Sequence, residues 1–239
     1  AASENIPTCF WEPWEKVVST AEGLFEAIRN LSDRQRRAKE TQKVFAWRGQ
    51  YDASWALHHS LYRKCLASKT TPPQETAVRQ VEKSILADLH RWGLHSGVPG
   101  GRLSVMNQLA MLQHHGTPTR LLDITFNAWI AVWFALNPPS HAQSQGDADA
   151  RLFAIDVTHR LINETETYRP WEDDLHTPWG DNSGTIEFWS DKWGSNWKDT
   201  WTKDWRTSVF AWRPPHIDAR IAAQNGGFLL GGIPATEKP

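Results

Sequence analysis

The sequence predicts an α+β protein built as a single domain, with a mixed β core and packed helices. Three observations lead there. Short apolar runs such as VFAWRGQ, RLFAIDV and GGFLLGG have strand length and end in glycine, proline or polar turns. Longer stretches repeat apolar residues at three- and four-residue steps, as helices do. Finally, 239 residues with 40% hydrophobic and 22% charged side chains can bury a sizeable core, and no shift in composition divides them.

Taken in order, Trp14, Val17, Val18, Leu24, Phe25 and Ile28 fit a helix from Trp11 to Leu31, interrupted at Gly23. The basic run RNLSDRQRRAKE follows, better read as a solvated helix end or loop than as a phosphate contact. Val44–Gln50 is a strand, SWALHHSLYRK a mixed segment, and KTTPPQ a break. Helices are predicted from Gln74 to Trp92, with Val78, Val81, Ile85 and Leu89 inward, and from Leu103 to about His114. GTPT makes a turn, and TRLLDIT a strand. NAWIAVWFAL is a helix capped near Asn127, with Ala128, Ala131 and Ala135 allowing close packing. RLFAIDV and SVFAWRP are strands, HIDARIAAQNG a short helix or turn, and GGFLLGG the last strand. Residues 1–43 form an N-terminal helical region and residues 161–207 a Trp-rich acidic insertion. In that insertion Trp189, Trp193, Trp197, Trp201 and Trp205 recur every fourth residue, a stripe that suits packing better than ligand contact.

Composition narrows the function classes. A net charge of -1 supplies no global attraction for nucleic acid. Two cysteines, Cys9 and Cys65, without a CxxC pair argue against structural zinc and fit a reducing compartment. No apolar run approaches the roughly 20 residues that span a bilayer. The expectation is a cytoplasmic protein with no membrane partner and no metal. Fifteen tryptophans imply either an aromatic core or stacking platforms for planar ligands.

Candidate chemistry gathers at a few residues. Arg48, at the end of an apolar strand beside Gly49, can reach a phosphate or carboxylate bidentately, or pair with a structural acid. His114 and His115 are adjacent, so a helix turns them about 100° apart, and one should face the interior or a cleft. A neutral imidazole there can orient a ribose hydroxyl or act as a base. On a strand from Thr119 to Thr125, Thr119, Leu121 and Asp123 share one face while Arg120 belongs to the other. Asp123 must find partners, either turn N–H groups or Arg48, and its face is the one expected to look into a pocket. Thr119 offers a hydroxyl to a ligand, and Thr125 a cap or a contact. Gln224 can donate and accept at once, which suits recognition of an amide or hydroxyl. Asn225-Gly226 beside it is an ordinary turn signal.

QHHGTPTRLLDIT with NAWIAVWFAL, the triplet Trp47-Arg48-Gly49, and ARIAAQNGGF with Arg220, Gln224, Gly227 and Phe228 resemble the three signatures of the FRG-domain family. That family occurs mainly in bacterial and phage proteins and is named for Phe-Arg-Gly. Trp47 stands here in the Phe position, and Ile124 where the family more often has Trp. The likeness runs from Phe45 to Phe228, so the chain from 1 to 239 is expected to form one FRG-like domain. More distantly, the order of elements resembles that of ADP-ribosyltransferases. The resemblance implies an NAD-consuming enzyme, a toxin or antiphage defence effector that modifies a protein or nucleic acid and is held in check by an antitoxin. Arg48 would hold the pyrophosphate, and His114 or Thr119 the ribose hydroxyls. Thr125 would belong to the strand shaping the nicotinamide pocket, and Arg120 or Gln224 would touch substrate. The catalytic Glu of those enzymes falls on Gln224, which carries no charge, so Asp123 and Glu187 become the candidate acids. The alternative is a non-catalytic nucleotide- or nucleic-acid-sensing module.

Overall fold

The computed structural model describes residues 15–37, 43–68, 71–94, 103–137, 148–158, 160–162, 209–214 and 219–232. The stripe from Trp189 to Trp205, Glu187 and nearly all of the 161–207 insertion lie outside the described residues. Six helices and six strands are described: α1 Ala21–Arg37, β1 Phe45–Gln50, α2 Ser60–Ala67, α3 Glu75–Arg91, α4 Val105–His114, β2 Leu122–Thr125, α5 Ala128–Leu136, β3 Arg151–Asp156, β4 Leu161–Ile162, β5 Phe210–Trp212, α6 Ala219–Ala223 and β6 Gly226–Leu230. The fold is mixed α+β, and its six-stranded sheet has the order β3-β1-β2-β6-β5-β4. The chain groups into two compact units. One comprises Ala1–Leu57, Asp123–Leu161 and His216–Phe228; the other comprises His58–Leu122, Ile162–Pro215 and Leu229–Pro239.

In the first unit β1 pairs antiparallel with β3, from Phe45 opposite Asp156 to Gln50 opposite Arg151. It also pairs antiparallel with β2, where Trp47 faces Thr125. Because side chains alternate along a strand, Phe45 and Trp47 point to one face. There they pack with Ile28 of α1 and Ala128, Ala131 and Val132 of α5, flanked by Leu24, Leu31, Leu152 and Ala154. Each large apolar side chain buried this way contributes about 1.5–3 kcal/mol. Helix α5 is apolar on all sides. Its alanines are buried, while Trp129, Trp133 and Leu136 are exposed and the Trp129 ring rests 4.5 Å from that of Phe25. The Asn127 side chain caps α5 by accepting from the Trp129 N–H at 2.9 Å. Asn127→Ala is expected to lower stability by about 1 kcal/mol in urea unfolding, with Asn127→Asp close to wild type.

The N-terminal helix departs from expectation at both ends. It starts at Ala21, not at Trp11, because Thr20 terminates the extended approach: its hydroxyl accepts from the Gly23 N–H and its carbonyl from that of Leu24. Val17, placed inward by the periodic pattern, precedes the helix and is exposed. At the other end the helix runs through the basic cluster to Arg37, since arginine and glutamine are good helix formers.

In the second unit Leu61, Cys65 and Val78 form a core with Tyr62 and Ile85, joining α2 to α3. The segment SWALHHSLYRK, mixed in sequence, yields α2. Its start is fixed by a histidine: Nδ1 of His59 accepts from the Tyr62 N–H at 3.1 Å. The buried stripe of α3 is Val78, Glu82, Leu86 and Leu89. That corrects the inward placement of Val81, which is exposed, and puts a carboxylate where an apolar side chain was expected. Ser104 caps α4, and the fully buried Gln108 joins α4 to the end of α3 through His90 at 2.9 Å.

Candidate functional site

Strand β2 starts at Leu122, three residues later than predicted. Thr119 and Arg120 therefore precede the strand, and its alternation does not apply to them. Both are buried at 1% exposure. What displaces the strand's start is hydrogen bonding. Ser60 Oγ accepts from the Thr119 N–H at 3.0 Å and donates to the Thr119 carbonyl at 3.2 Å, and the Leu61 N–H donates to the same carbonyl at 3.1 Å. The Thr119 hydroxyl donates to Gln113 Oε1 and accepts from the Leu121 N–H at 3.2 Å. These contacts hold the GTPT turn to the first turn of α2.

Arg120 points into the interior of the second unit. Its Nε lies 2.8 and 2.9 Å from the two carboxylate oxygens of Glu82, and Nη1 donates to Glu75 at 3.0 Å and to the Gly231 carbonyl at 3.4 Å. Burial alone would lower the guanidinium's pKa; Glu82 first and then Glu75 outweigh it and hold it above its ordinary value. Arg120 is therefore a permanently charged core residue. Sequence reasoning missed both acids. The signal was available: Glu75, Val78, Glu82, Leu86 and Leu89 share one helical stripe, and a carboxylate on an apolar stripe requires a buried cation.

His114 and His115 end α4 and are both exposed, with their rings edge-on at 5.3 Å. The expectation that one would face the interior is overturned. The helix ends at His114, and His115, at its C-cap, leads into Gly116 at φ +84, the left-handed position at which helices commonly stop.

Arg48, Asp123, Thr125 and Gln224 meet in the first unit, largely through the main chain. Arg48 Nη1 donates to the carbonyl of Asp123 at 2.6 Å. Thr125 Oγ1 donates to the Gln224 carbonyl at 2.7 Å and accepts from the Asn127 N–H at 3.0 Å. Asn225 adopts φ +44, a left-handed position that asparagine tolerates, and its carbonyl accepts from the Phe126 N–H at 2.9 Å. The turn after α6 is thus tied to the β2 end of the β2–α5 connection. Thr125 lies opposite Trp47 and so shares its face; Asp123, two residues away, lies on that face too, whereas Arg48 lies on the other. The guanidinium accordingly engages the Asp123 main chain. The Asp123 side chain is exposed, while Arg48 and Gln224 are half-buried.

Gly49 completes the Trp-Arg-Gly triplet for a separate reason. A Cβ at this position would collide with the Ala131 carbonyl and stand 2.7 Å from the Ala135 main-chain nitrogen. Helix α5 rides directly on the glycine. Each residue of the triplet therefore has a mechanical role: Trp47 fills the core, Arg48 tethers β2, and Gly49 admits α5.

Residues 43–144 match the family model for the FRG domain, so this stretch of the chain is similar to that domain. The match takes in Trp47-Arg48-Gly49, the whole of QHHGTPTRLLDIT and α5, and ends before the Arg220–Phe228 signature. No curated protein and no solved structure matches the chain. Among the described residues no group of three or more His, Cys, Asp or Glu could hold a metal ion, and no helix is long and apolar enough to cross a membrane.

Proposed function

We propose that the protein is an ADP-ribosyltransferase-like enzyme that takes NAD as substrate, with Asp123 as its acid. The observation behind this reading is the placement of Asp123. Its carboxylate stands exposed on β2 while the main chain of that strand is fixed by Arg48 of β1 and by the tie from Thr125 to the Gln224 carbonyl in the turn after α6. A carboxylate on so braced a backbone can stabilise an oxocarbenium-like ribose. In the reaction the bond from the ribose C1′ to the nicotinamide nitrogen breaks and its electron pair leaves with nicotinamide. A nucleophile on a protein or nucleic acid then forms the new bond to C1′ and loses its proton. Gln224, where the likeness to ADP-ribosyltransferases would put an acid, would recognise substrate through its amide. Arg48 would contribute by setting β2 and by the positive charge of its guanidinium. A role as a toxin or defence effector with a cognate antitoxin belongs to the same reading.

Nicotinamide release from NAD, followed with protein, RNA and DNA acceptors present, tests it. Wild-type protein is expected to release nicotinamide, and Asp123→Asn to do so at least about 100-fold more slowly. Because Asp123 is exposed, the variant should melt within about 2 °C of wild type. Absence of release with every acceptor would sink the proposal. A salt-dependent mobility shift with nucleic acid in that event would favour a sensing module.

A further inference from the structure

The cap on α2 is unusual in its chemistry, and it sits on the contact that shapes the signature segment. Serine, threonine, aspartate and asparagine cap helices because their side-chain oxygens accept at any neutral pH. His59 caps α2 through a ring nitrogen, and Nδ1 can accept from the Tyr62 N–H only while it carries no proton. The next two residues are the clasp on Thr119: Ser60 by its hydroxyl and Leu61 by its main chain. We propose that His59, Ser60 and Leu61 form an acid-released clasp, in which protonation of Nδ1 uncaps α2 and lets go of Thr119 and the GTPT turn.

The surroundings favour the neutral ring. Burial is the main influence and the Arg120 charge the next. A main-chain hydrogen bond involving Thr119 works the other way, and His58 and Arg63 add to the lowering, so His59 is held down to about 3. The groups acting on it thus come from its own segment and α2, namely His58 and Arg63, and from the signature segment, namely Arg120. The carboxylates that α3 presents here, Glu75 and Glu82, are engaged by Arg120. The sign follows directly. The open form takes up a proton at the ordinary histidine value of 6.5, whereas the closed form refuses one down to about 3. The clasp is at full strength above pH 6.5 and weakens as pH falls from there toward 3.

Amide hydrogen exchange on the full chain reads the clasp directly. After correction for the intrinsic rate, the protection of the Leu61 and Tyr62 amides should fall about 25-fold between pH 7 and pH 5, the response of a one-proton linkage. This window stays above the ordinary carboxylate range. His59→Asn keeps a capping acceptor without a titrating group, and its protection should change less than about threefold. An equal fall in both proteins, or no fall in the wild type, would overturn the clasp. If the variant does not fold, the wild-type His59 ring settles the question by NMR: titration at or above 6.5 overturns the proposal, and a ring still neutral at pH 5 in the closed form supports it.

Discussion

Gly49→Ala is expected to destabilise the protein by at least about 3 kcal/mol, read as a lowered urea midpoint with an unchanged slope. The added methyl would meet the main chain of α5 at Ala131 and Ala135, and a helix backbone cannot rotate away as a side chain can. Relief requires lifting α5 from β1, which opens the layer between them to water. Ala128, Ala131 and Val132 would separate from Phe45, Trp47 and Ile28, so the cost is shared by the whole cluster. A larger residue such as valine should leave no cooperative transition. A Gly49→Ala protein within about 1 kcal/mol of wild type would mean that α5 does not lie on this strand as described.

Removing one side of the buried ion cluster is the second large effect. Arg120→Met leaves Glu82 at 3% exposure without its cation, and the expected loss is about 3–5 kcal/mol. Arg120→Lys should recover only part of it. A lysine ammonium cannot reproduce the paired approach of Nε to both Glu82 oxygens together with the Nη1 contact to Glu75. Replacing Arg120 and Glu82 together by Met and Leu should restore most of the stability, since the more deeply buried carboxylate leaves with its cation and only Glu75, nearer to solvent, loses a partner. Thermal unfolding of Arg120→Met, Glu82→Leu and the double variant measures the coupling. Additive losses would show that the two side chains act independently.

These two sites recast what the signature residues do. Read as chemistry, Arg48, Thr119, Arg120 and Thr125 are a basic and hydroxyl-rich array suited to a dinucleotide. In the folded chain Arg120 pairs with two acids of α3, Thr119 and Thr125 bind turns, and Arg48 secures the main chain of β2. Asp123 is the exposed carboxylate of β2, and for that reason it carries the functional proposal.

How legible the protein was depended on the range of the interactions that fix each part. Helices α3, α4 and α5 and strands β1, β3, β5 and β6 were readable because hydrophobic periodicity and caps are written locally; Asn127 announces α5, and Pro72 and Pro73 precede α3. Helix α2 was not readable, since a histidine cap has no propensity signature and its apolar face is short. The start of β2 was misplaced because Ser60, 59 residues away in sequence, holds the Thr119 main chain out of the strand.

The sequence by itself determined the α+β class, most of the element order and the likeness to the FRG domain, all of which follow from nearest-neighbour patterns and residue types. Only the tertiary structure decided which polar groups are spoken for. Whether Arg120 meets a ligand or Glu82, and whether Gly49 bends a turn or admits a helix, depends on partners that the fold brings up from 38 and about 80 residues away. A buried charge is satisfied by whatever stands beside it in space, and adjacency in space is what a linear pattern does not encode.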